Sequence, residues 1–232
     1  VNIMTRKSHI IHKTIKGGSK LEIFIPQFVR TALDRLNECG YEGYIVGGCV
    51  RDSLLGKKPH DYDVCTNCTP DKMLEVFANF RTIENGLKHG TLTVLIESEP
   101  VEITCYRSDG EYIGHRKPAQ VTFESSLEED LKRRDFTVNA MAYSPKEGLI
   151  DLYGGQGDLE KGIIKCVGEP EKRFDEDALR ILRGLRFSSC LGFEIEEKTS
   201  KAILEQRELL KSISAERIAS AVSYTHLRAH ET

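Results

Sequence analysis

Asp61 and Asp63, two residues apart in His60-Asp61-Tyr62-Asp63-Val64, form an acidic pair with a spacing suited to metal chemistry. In an extended strand residues i and i+2 point to one face, so both carboxylates project together. Like charges this close are unfavourable unless a cation lies between them. Mg²⁺ meets that need with one or two carboxylates, completed by substrate phosphate oxygens. An Asp pair alone is more often a solvated strand end. The sequence just before it favours the metal reading: Ile45-Val46-Gly47-Gly48-Cys49-Val50-Arg51-Asp52 reads as strand, glycine pair and helix. Such a turn lets backbone N–H groups face an anion with no Cβ in the way, and Arg51 lies one turn inside the helix, within reach of the same phosphates. By itself a Gly-Gly turn is ordinary. A third acid, Glu102 in Val101-Glu102-Ile103-Thr104, alternates with apolar neighbours that face away from it. On a strand beside Asp61 and Asp63 it completes a set of three carboxylates. Two metals held that way activate a hydroxyl and stabilise a departing pyrophosphate.

These residues need a small sheet to carry them, and the apolar periodicity supplies one. Phe28, Val29, Leu33 and Leu36 recur at helical spacing after Pro26, with Gly40 as a stop. Tyr44-Ile45-Val46 and Tyr62-Asp63-Val64-Cys65 read as short strands, and Thr69-Pro70-Asp71 opens a helix that buries Met73, Leu74, Val76 and Phe77. Residues 91–96 and 101–106 read as a hairpin, with residues 97–100 as its turn. Residues 107–120 are polar and contain glycine, which predicts a mobile loop. Helical spacing resumes at Leu127, with short strands near 141–143, 149–152 and 163–167. From Arg173 onward helix follows helix. The change of rhythm predicts an α+β unit of residues 23–168 and a helical extension of residues 169–222. Residues 1–22 read as a flexible lead-in. Residues 223–232 abruptly end the apolar stripe that runs from Ile203 to Ile213, and read as a non-native tail.

Composition narrows the class. A chain 39% hydrophobic and 30% charged has the material for an ordinary core. No apolar run is long enough for a bilayer span, and the polar N-terminus does not read as a secretory signal. Seven irregularly spaced cysteines argue against a disulfide framework and for a reducing, cytoplasmic setting. Cys65-Thr66-Asn67-Cys68 has the spacing of a zinc or redox pair, but with no second pair and no nearby histidine it is read as neither. The net charge of -3 gives no global signature of nucleic-acid binding, so any RNA contact is expected from local clusters or from a part of the protein outside this chain.

Three runs appear in order: Gly47-Gly48-Cys49-Val50-Arg51-Asp52 through Asp61-Tyr62-Asp63; Arg133-Arg134-Asp135-Phe136-Thr137-Val138-Asn139-Ala140; and Glu176-Asp177-Ala178-Leu179-Arg180-Ile181-Leu182-Arg183-Gly184-Leu185-Arg186-Phe187. Together they resemble the class II tRNA nucleotidyltransferase and bacterial poly(A) polymerase superfamily, over residues 43 to 218. The resemblance implies a nucleotidyltransferase head, with a small mixed β-sheet and flanking helices, followed by an all-α neck. It also implies template-independent addition of CCA to tRNA 3′ ends from CTP and ATP, with Mg²⁺ as the metal. Asp61 and Asp63 match the metal-binding pair and Glu102 the third carboxylate. Gly48 and Arg51 match contacts to the incoming nucleotide, and Arg134 and Asn139 match positions near its triphosphate and ribose. Asp177 and Arg180 match the pair that reads the base edge, and Arg183 and Arg186 further nucleotide contacts.

Elementary chemistry agrees with that transfer. Asp offers only acceptors and Arg only donors, which suits a mixed base edge. On one helix Asp177 and Arg180 would be i,i+3 neighbours, and Arg180, Arg183 and Arg186 would wind a basic stripe around it. The competing reading is an i,i+3 salt bridge on a solvated helix. Poly(A) addition is the nearest functional rival. Ala178, and the resemblance of Glu111-Tyr112-Ile113-Gly114-His115-Arg116-Lys117-Pro118 to a loop used in switching from C to A, favour CCA addition. A catalytically inactive RNA-binding module is the rival from another class, and the intact Asp61 and Asp63 speak against it.

Overall fold

Helix α1 (Gln27–Glu38) forms where the apolar spacing predicts, with Val29, Ala32, Leu33 and Leu36 buried. It is followed by β1 (Tyr44–Val46), α2 (Gly48–Leu54), β2 (Asp63–Thr66) and α3 (Pro70–Val76). The fold is that of a computed structural model, described for residues 21–109, 112–113, 117–118, 121–123 and 126–219. Strands β3 (Arg81–Ile83), β4 (Thr91–Ile96) and β5 (Glu99–Cys105) complete the first half of a seven-stranded sheet. After the short strands β6 (Arg107–Asp109), β7 (Tyr112–Ile113), β8 (Lys117–Pro118) and β9 (Val121–Phe123) comes α4 (Leu127–Lys132). Then β10 (Met141–Ser144) and β11 (Gly148–Asp151) return to the sheet, whose order is β11-β10-β1-β2-β5-β4-β3. Its one parallel pairing, β2 with β5, lies at the centre. The remainder is α5 (Gly155–Lys161), β12 (Ile163–Ile164), α6 (Pro170–Glu176), α7 (Leu179–Leu191), β13 (Glu194–Ile195) and α8 (Glu197–Gln206). No helix among the described residues is long and apolar enough to cross a membrane.

Strand alternation gives the sheet two unequal faces. Ile45, Val64, Leu92 and Ile103 join the main core with α1, α2 and α3. The opposite face has a smaller core of Tyr44, Val46, Cys65, Tyr106, Leu131 and Ala142. Asp63 shares that second face with Cys65, and Glu102 lies beside it on β5 in register. The face with less to bury is thus the one with room for polar side chains.

The structure departs from the expectations at three places. The hairpin turn is only Glu97-Ser98, both at positive φ (54° and 69°). Two left-handed residues match the twist of the flanking strands, so β5 starts earlier than the sequence suggested. Residues 107–120, expected as a loop, contain β6, which pairs with β9 just beyond them, and the pair β7 with β8. Glu111, Gly114, His115 and Arg116 of the loop motif lie outside the described residues, as do residues 1–20 of the lead-in and residues 220–232, which hold the expected tail. The helical segment also contains a strand that was not expected. β13 pairs in parallel with β12 across the boundary predicted after residue 168. Two residues on each side carry too little periodicity to be read from sequence.

Helix α5 braces the turn at residues 137–139 from behind. Asp151 caps it by accepting from Gly155 N and Gln156 N, both at 2.8 Å. The approach is close enough to require glycine: a Cβ on Gly155 would lie 2.2 Å from the Thr137 carbonyl oxygen, whereas Gly157 has nothing within 4 Å. Gly155→Ala should therefore destabilise the protein by about 1–3 kcal/mol through overpacking. Gly157→Ala should be neutral, or stabilising by up to about 1 kcal/mol, through reduced freedom of the unfolded chain. Urea denaturation of the two variants checks this, and equal effects would remove the close approach as the cause.

Candidate active site

Asp61 and Asp63 are both exposed and flank the buried Tyr62, the alternation that the i,i+2 argument requires, although β2 begins only at Asp63 and Asp61 lies in the segment just before it. Asp63 is the register partner of Glu102, which is exposed between the buried Val101 and Ile103. Partial burial, reinforced by the neighbouring charge of Asp61, pushes the Asp63 carboxyl up to about 6; Arg134 opposes the rise and Glu102 adds to it. Like charges near Asp63 are a situation that a cation relieves. Among the described residues no three His, Cys, Asp or Glu side chains converge into a ready-made metal cage. The expected three-carboxylate clamp is thus not preassembled, and Glu102 is a strand neighbour of the aspartates, not a member of a closed cage. An open set of this kind suits Mg²⁺, which takes one or two carboxylates and fills its remaining positions with water and substrate oxygens.

The glycine turn lies beside these acids because Val46 pairs with Asp63 across β1 and β2. Gly47 has φ 79° and ψ -127°, a region that side chains rarely occupy. A Cβ there would meet Arg134 Nη1 at 3.2 Å, so the glycine lets this guanidinium lie against the turn. Gly48 begins α2, and a Cβ on it would lie 3.7 Å from Arg51 Nη2. Arg134 also donates to Asp130 Oδ2 at 3.1 Å. Burial would lower its pKa, but the charges of Asp130 and, to a smaller degree, Asp63 outweigh that and raise it. Its Nε is buried with no hydrogen-bond partner.

Three of the expected nucleotide contacts are placed differently from the sequence expectation. Arg51 turns inward. It is 5% exposed and donates from Nη1 to Asn139 Oδ1 at 2.7 Å and from Nε and Nη2 to Asp52 Oδ1 at 2.9 and 2.8 Å. It therefore holds Asn139 and the 137–139 turn in place. Arg180 is also buried. It donates to Glu176 Oε2 at 2.6 Å and to the carbonyls of Arg173 and Arg133 at 3.0 Å. Asp177 is not on its helix. With φ -142° and ψ 103° it sits at the break between α6 and α7, accepts from Leu179 N at 3.1 Å, and lies 3.6 Å from Arg217 Nη2. Neither the continuous i,i+3 pair nor the solvated salt bridge is present, because the chain breaks at Asp177 to seat α7.

Arg183 and Arg186 remain partly exposed, with guanidinium carbons 5.4 and 5.0 Å from the centre of the Phe187 ring. Arg183 Nε donates to Asp135 Oδ2 at 2.6 Å. Burial alone would raise the Asp135 carboxyl, but Arg183 outweighs it and holds it below the usual carboxylate range. Asp130 behaves likewise between Arg134 and Arg133. Asp52, Asp130, Asp135 and Glu176 thus anchor the arginines, a role the sequence reading did not assign. For Asp130 a signal existed, since Arg133 and Arg134 follow at i+3 and i+4, where helical ion pairs form.

With this geometry in view, the comparisons with known proteins are direct. The "Poly A polymerase head domain" family matches residues 43–165, and "Probable RNA and SrmB- binding site of polymerase A" matches residues 192–220. The chain is 50% identical over 204 residues to the CCA-adding enzyme of Lactobacillus helveticus, covering 88% of this chain and 50% of that protein. Among solved structures it resembles the Bacillus stearothermophilus CCA-adding enzyme in complex with CTP, with TM-score 0.79 and 42% identity over 86% of this chain and 48% of that one. It also resembles the Thermotoga maritima CCA-adding enzyme complexed with a tRNA, with TM-score 0.71 and 26% identity over 88% and 48%. The chain spans about half the length of the curated relatives it matches. The parallel β2–β5 pair, the glycine turn beside it and the sequence match over residues 43–165 lead to one conclusion: this chain belongs to the poly(A) polymerase head-domain family.

Proposed function

We propose that the chain carries the catalytic centre of a CCA-adding tRNA nucleotidyltransferase: a tRNA 3′-hydroxyl attacks the α-phosphate of CTP or ATP and pyrophosphate leaves. The observation that carries this reading is the placement of Asp63 beside Glu102 on neighbouring strands, with the charges of Asp61 and Arg134 both acting on Asp63. Asp61 and Asp63, with Glu102 adjacent, would hold Mg²⁺, which supplies activation of the hydroxyl and neutralisation of the triphosphate. Arg134, set against the Gly47 turn, faces the phosphate side of the same space, and Arg183 and Arg186 present partly exposed guanidinium groups from α7. Gly48 lies at the start of α2, where a side chain would crowd an approaching anion. Arg51 and Asn139 act one layer back, fixing the turn that bears Arg134's neighbours. Asp177 keeps acceptor capacity at the start of α7 and is assigned the base edge. Arg180 is assigned the task of holding the α6–α7 break that presents it. The residue types serve positioning and electrostatic stabilisation, the main contributions to phosphoryl transfer. A cytoplasmic setting, residues 23–168 as head and residues 169–222 as neck complete the proposal.

Magnesium-dependent incorporation of labelled CTP and ATP into a tRNA lacking its CCA end tests this function. ATP incorporation without any CTP requirement would favour poly(A) addition on the same fold, and no incorporation would favour an RNA-binding module. Asp61→Ala and Asp63→Asn should each abolish addition. Asp63→Asn should leave metal-free stability unchanged or higher, because it removes a charge that Asp61 and Glu102 disfavour. A folded variant with near wild-type addition would refute the metal assignment.

The two base-edge residues should separate. Asp177→Ala is expected to relax discrimination against UTP and GTP by about 1–3 kcal/mol with little change in melting temperature. Arg180→Ala removes the donor to Glu176 Oε2 and to the carbonyls of Arg173 and Arg133, while Arg173 still pairs with Glu176 Oε1, so it should lower stability by about 1–3 kcal/mol as well as selectivity. Arg180→Ala at wild-type stability would contradict the clamp seen in the structure.

A further inference from the structure

Phe187 gathers the positive charge of the site around one ring. The guanidinium carbon of Arg51 lies 5.4 Å from its centroid, that of Arg183 5.4 Å and that of Arg186 5.0 Å. No two of these carbons can be more than about 11 Å apart, close to the Debye length at 0.1 M salt, so the three charges repel one another. Arg51 is anchored by Asp52 and Asn139, and Arg183 by Asp135. These anchors act in the plane of each guanidinium, through its N–H groups. The aromatic ring supplies the shared contact on another side, with an electron-rich face that attracts cations within about 6 Å.

The ring is itself held. Phe136, fully buried, meets it edge-on at 5.9 Å and 83°. Phe136 directly follows Asp135, so consecutive residues of one turn set both Arg183 and the ring on which it stacks. Helix α7 can come this close because Gly184 faces Phe136, where a Cβ would lie 2.9 Å from Cζ. A leucine at position 187 would keep apolar contact with Phe136 and lose the π face. These facts separate the electrostatic role of the ring from its packing role.

We infer that Phe187 is a positioning residue for nucleotide binding: its ring holds Arg183 and Arg186 against the buried Arg51, so that these two partly exposed guanidinium groups form an array that receives the triphosphate of the incoming nucleotide. The inference rests on the proposed nucleotidyl transfer, and it adds an aromatic element to a site otherwise made of charges. Because a triphosphate is common to CTP and ATP, loss of the array weakens both nucleotides alike and leaves the choice between them unchanged.

The test uses the full chain with Mg·CTP and Mg·ATP, measuring equilibrium binding, KM, kcat and melting temperature for wild type, Phe187→Leu and Phe187→Tyr. Phe187→Leu should raise Kd and KM for both nucleotides by a similar factor, roughly 3- to 30-fold. Its kcat should stay within about twofold. Phe187→Tyr, which keeps the π face, should restore binding. Unchanged affinity in a folded Phe187→Leu variant overturns the inference, as does a loss that Phe187→Tyr fails to rescue or a fall in kcat alone. If Phe187→Leu does not fold, Phe187→Met takes its place under the same criteria. Failure of both to fold makes Phe187 a core residue and also overturns the inference. A wild-type chain that binds no Mg-nucleotide overturns the functional reading itself, whereas wild-type binding with an unaffected Leu variant overturns only the role of Phe187.

Discussion

The site depends on keeping opposite charges close without letting them neutralise each other. Asp61, Asp63 and Glu102 lie close together beside β2 and β5, and burial first, with the charges of Asp61 and Glu102 adding to it, pushes the Asp63 carboxyl up to about 6. Several arginines stand nearby, yet each is committed elsewhere: Arg51 to Asp52 and Asn139, Arg134 and Arg133 to Asp130, Arg183 to Asp135, Arg180 to Glu176. Those ion pairs are largely buried, where Coulomb interactions are strong and breaking one partner is costly. A second rank of acids thus prevents the arginines from collapsing onto the first. What remains is an acidic set that favours a cation and a basic set that favours an anion, separated by the Gly47 turn. A metal–triphosphate complex satisfies both demands at once.

The sheet makes this separation possible through its single parallel pairing. Parallel strands cannot be joined by a tight hairpin, so α3, β3 and β4 intervene between β2 and β5, and the open face remains free of a connecting turn. Antiparallel pairing of β1 with β2 then brings Val46, and with it the turn, alongside Asp63. The helical segment closes the arrangement from the other side. Arg173 and Arg180 donate to the backbone carbonyls of Lys132 and Arg133, and β13 pairs with β12. The run Arg133 to Asn139 is therefore held simultaneously by the sheet, by α5 and by α7, which accounts for its density of small, charged and aromatic residues.

Much of this was legible in the sequence where one rule decides the outcome. The exposure of Asp61 and Asp63 on either side of the buried Tyr62 follows from the period of a strand, and the alternation around Glu102 placed it correctly on its outer face. The strands at 44–46 and 91–96 and helix α1 were readable from apolar period alone. The failures occur where tertiary contacts override local geometry. Asp177 and Arg180 have helical spacing, but the chain breaks between α6 and α7, so spacing on an ideal helix said nothing about their real partners. Arg51 lies on the expected helix, yet its direction was set by Asn139, 88 positions away, which no local pattern reports. The β12–β13 pairing was invisible for the same reason, with two residues per strand.

The claim that the carboxylates and arginines form complementary halves that need a metal–nucleotide complex has a direct test: calorimetric titration of CTP into the chain with Mg²⁺ and with a chelator, in wild type and in Asp63→Asn. The account predicts that wild type binds CTP roughly tenfold or more tightly with Mg²⁺, and that this advantage disappears in Asp63→Asn. Equal affinity with and without Mg²⁺ in the wild type would contradict it.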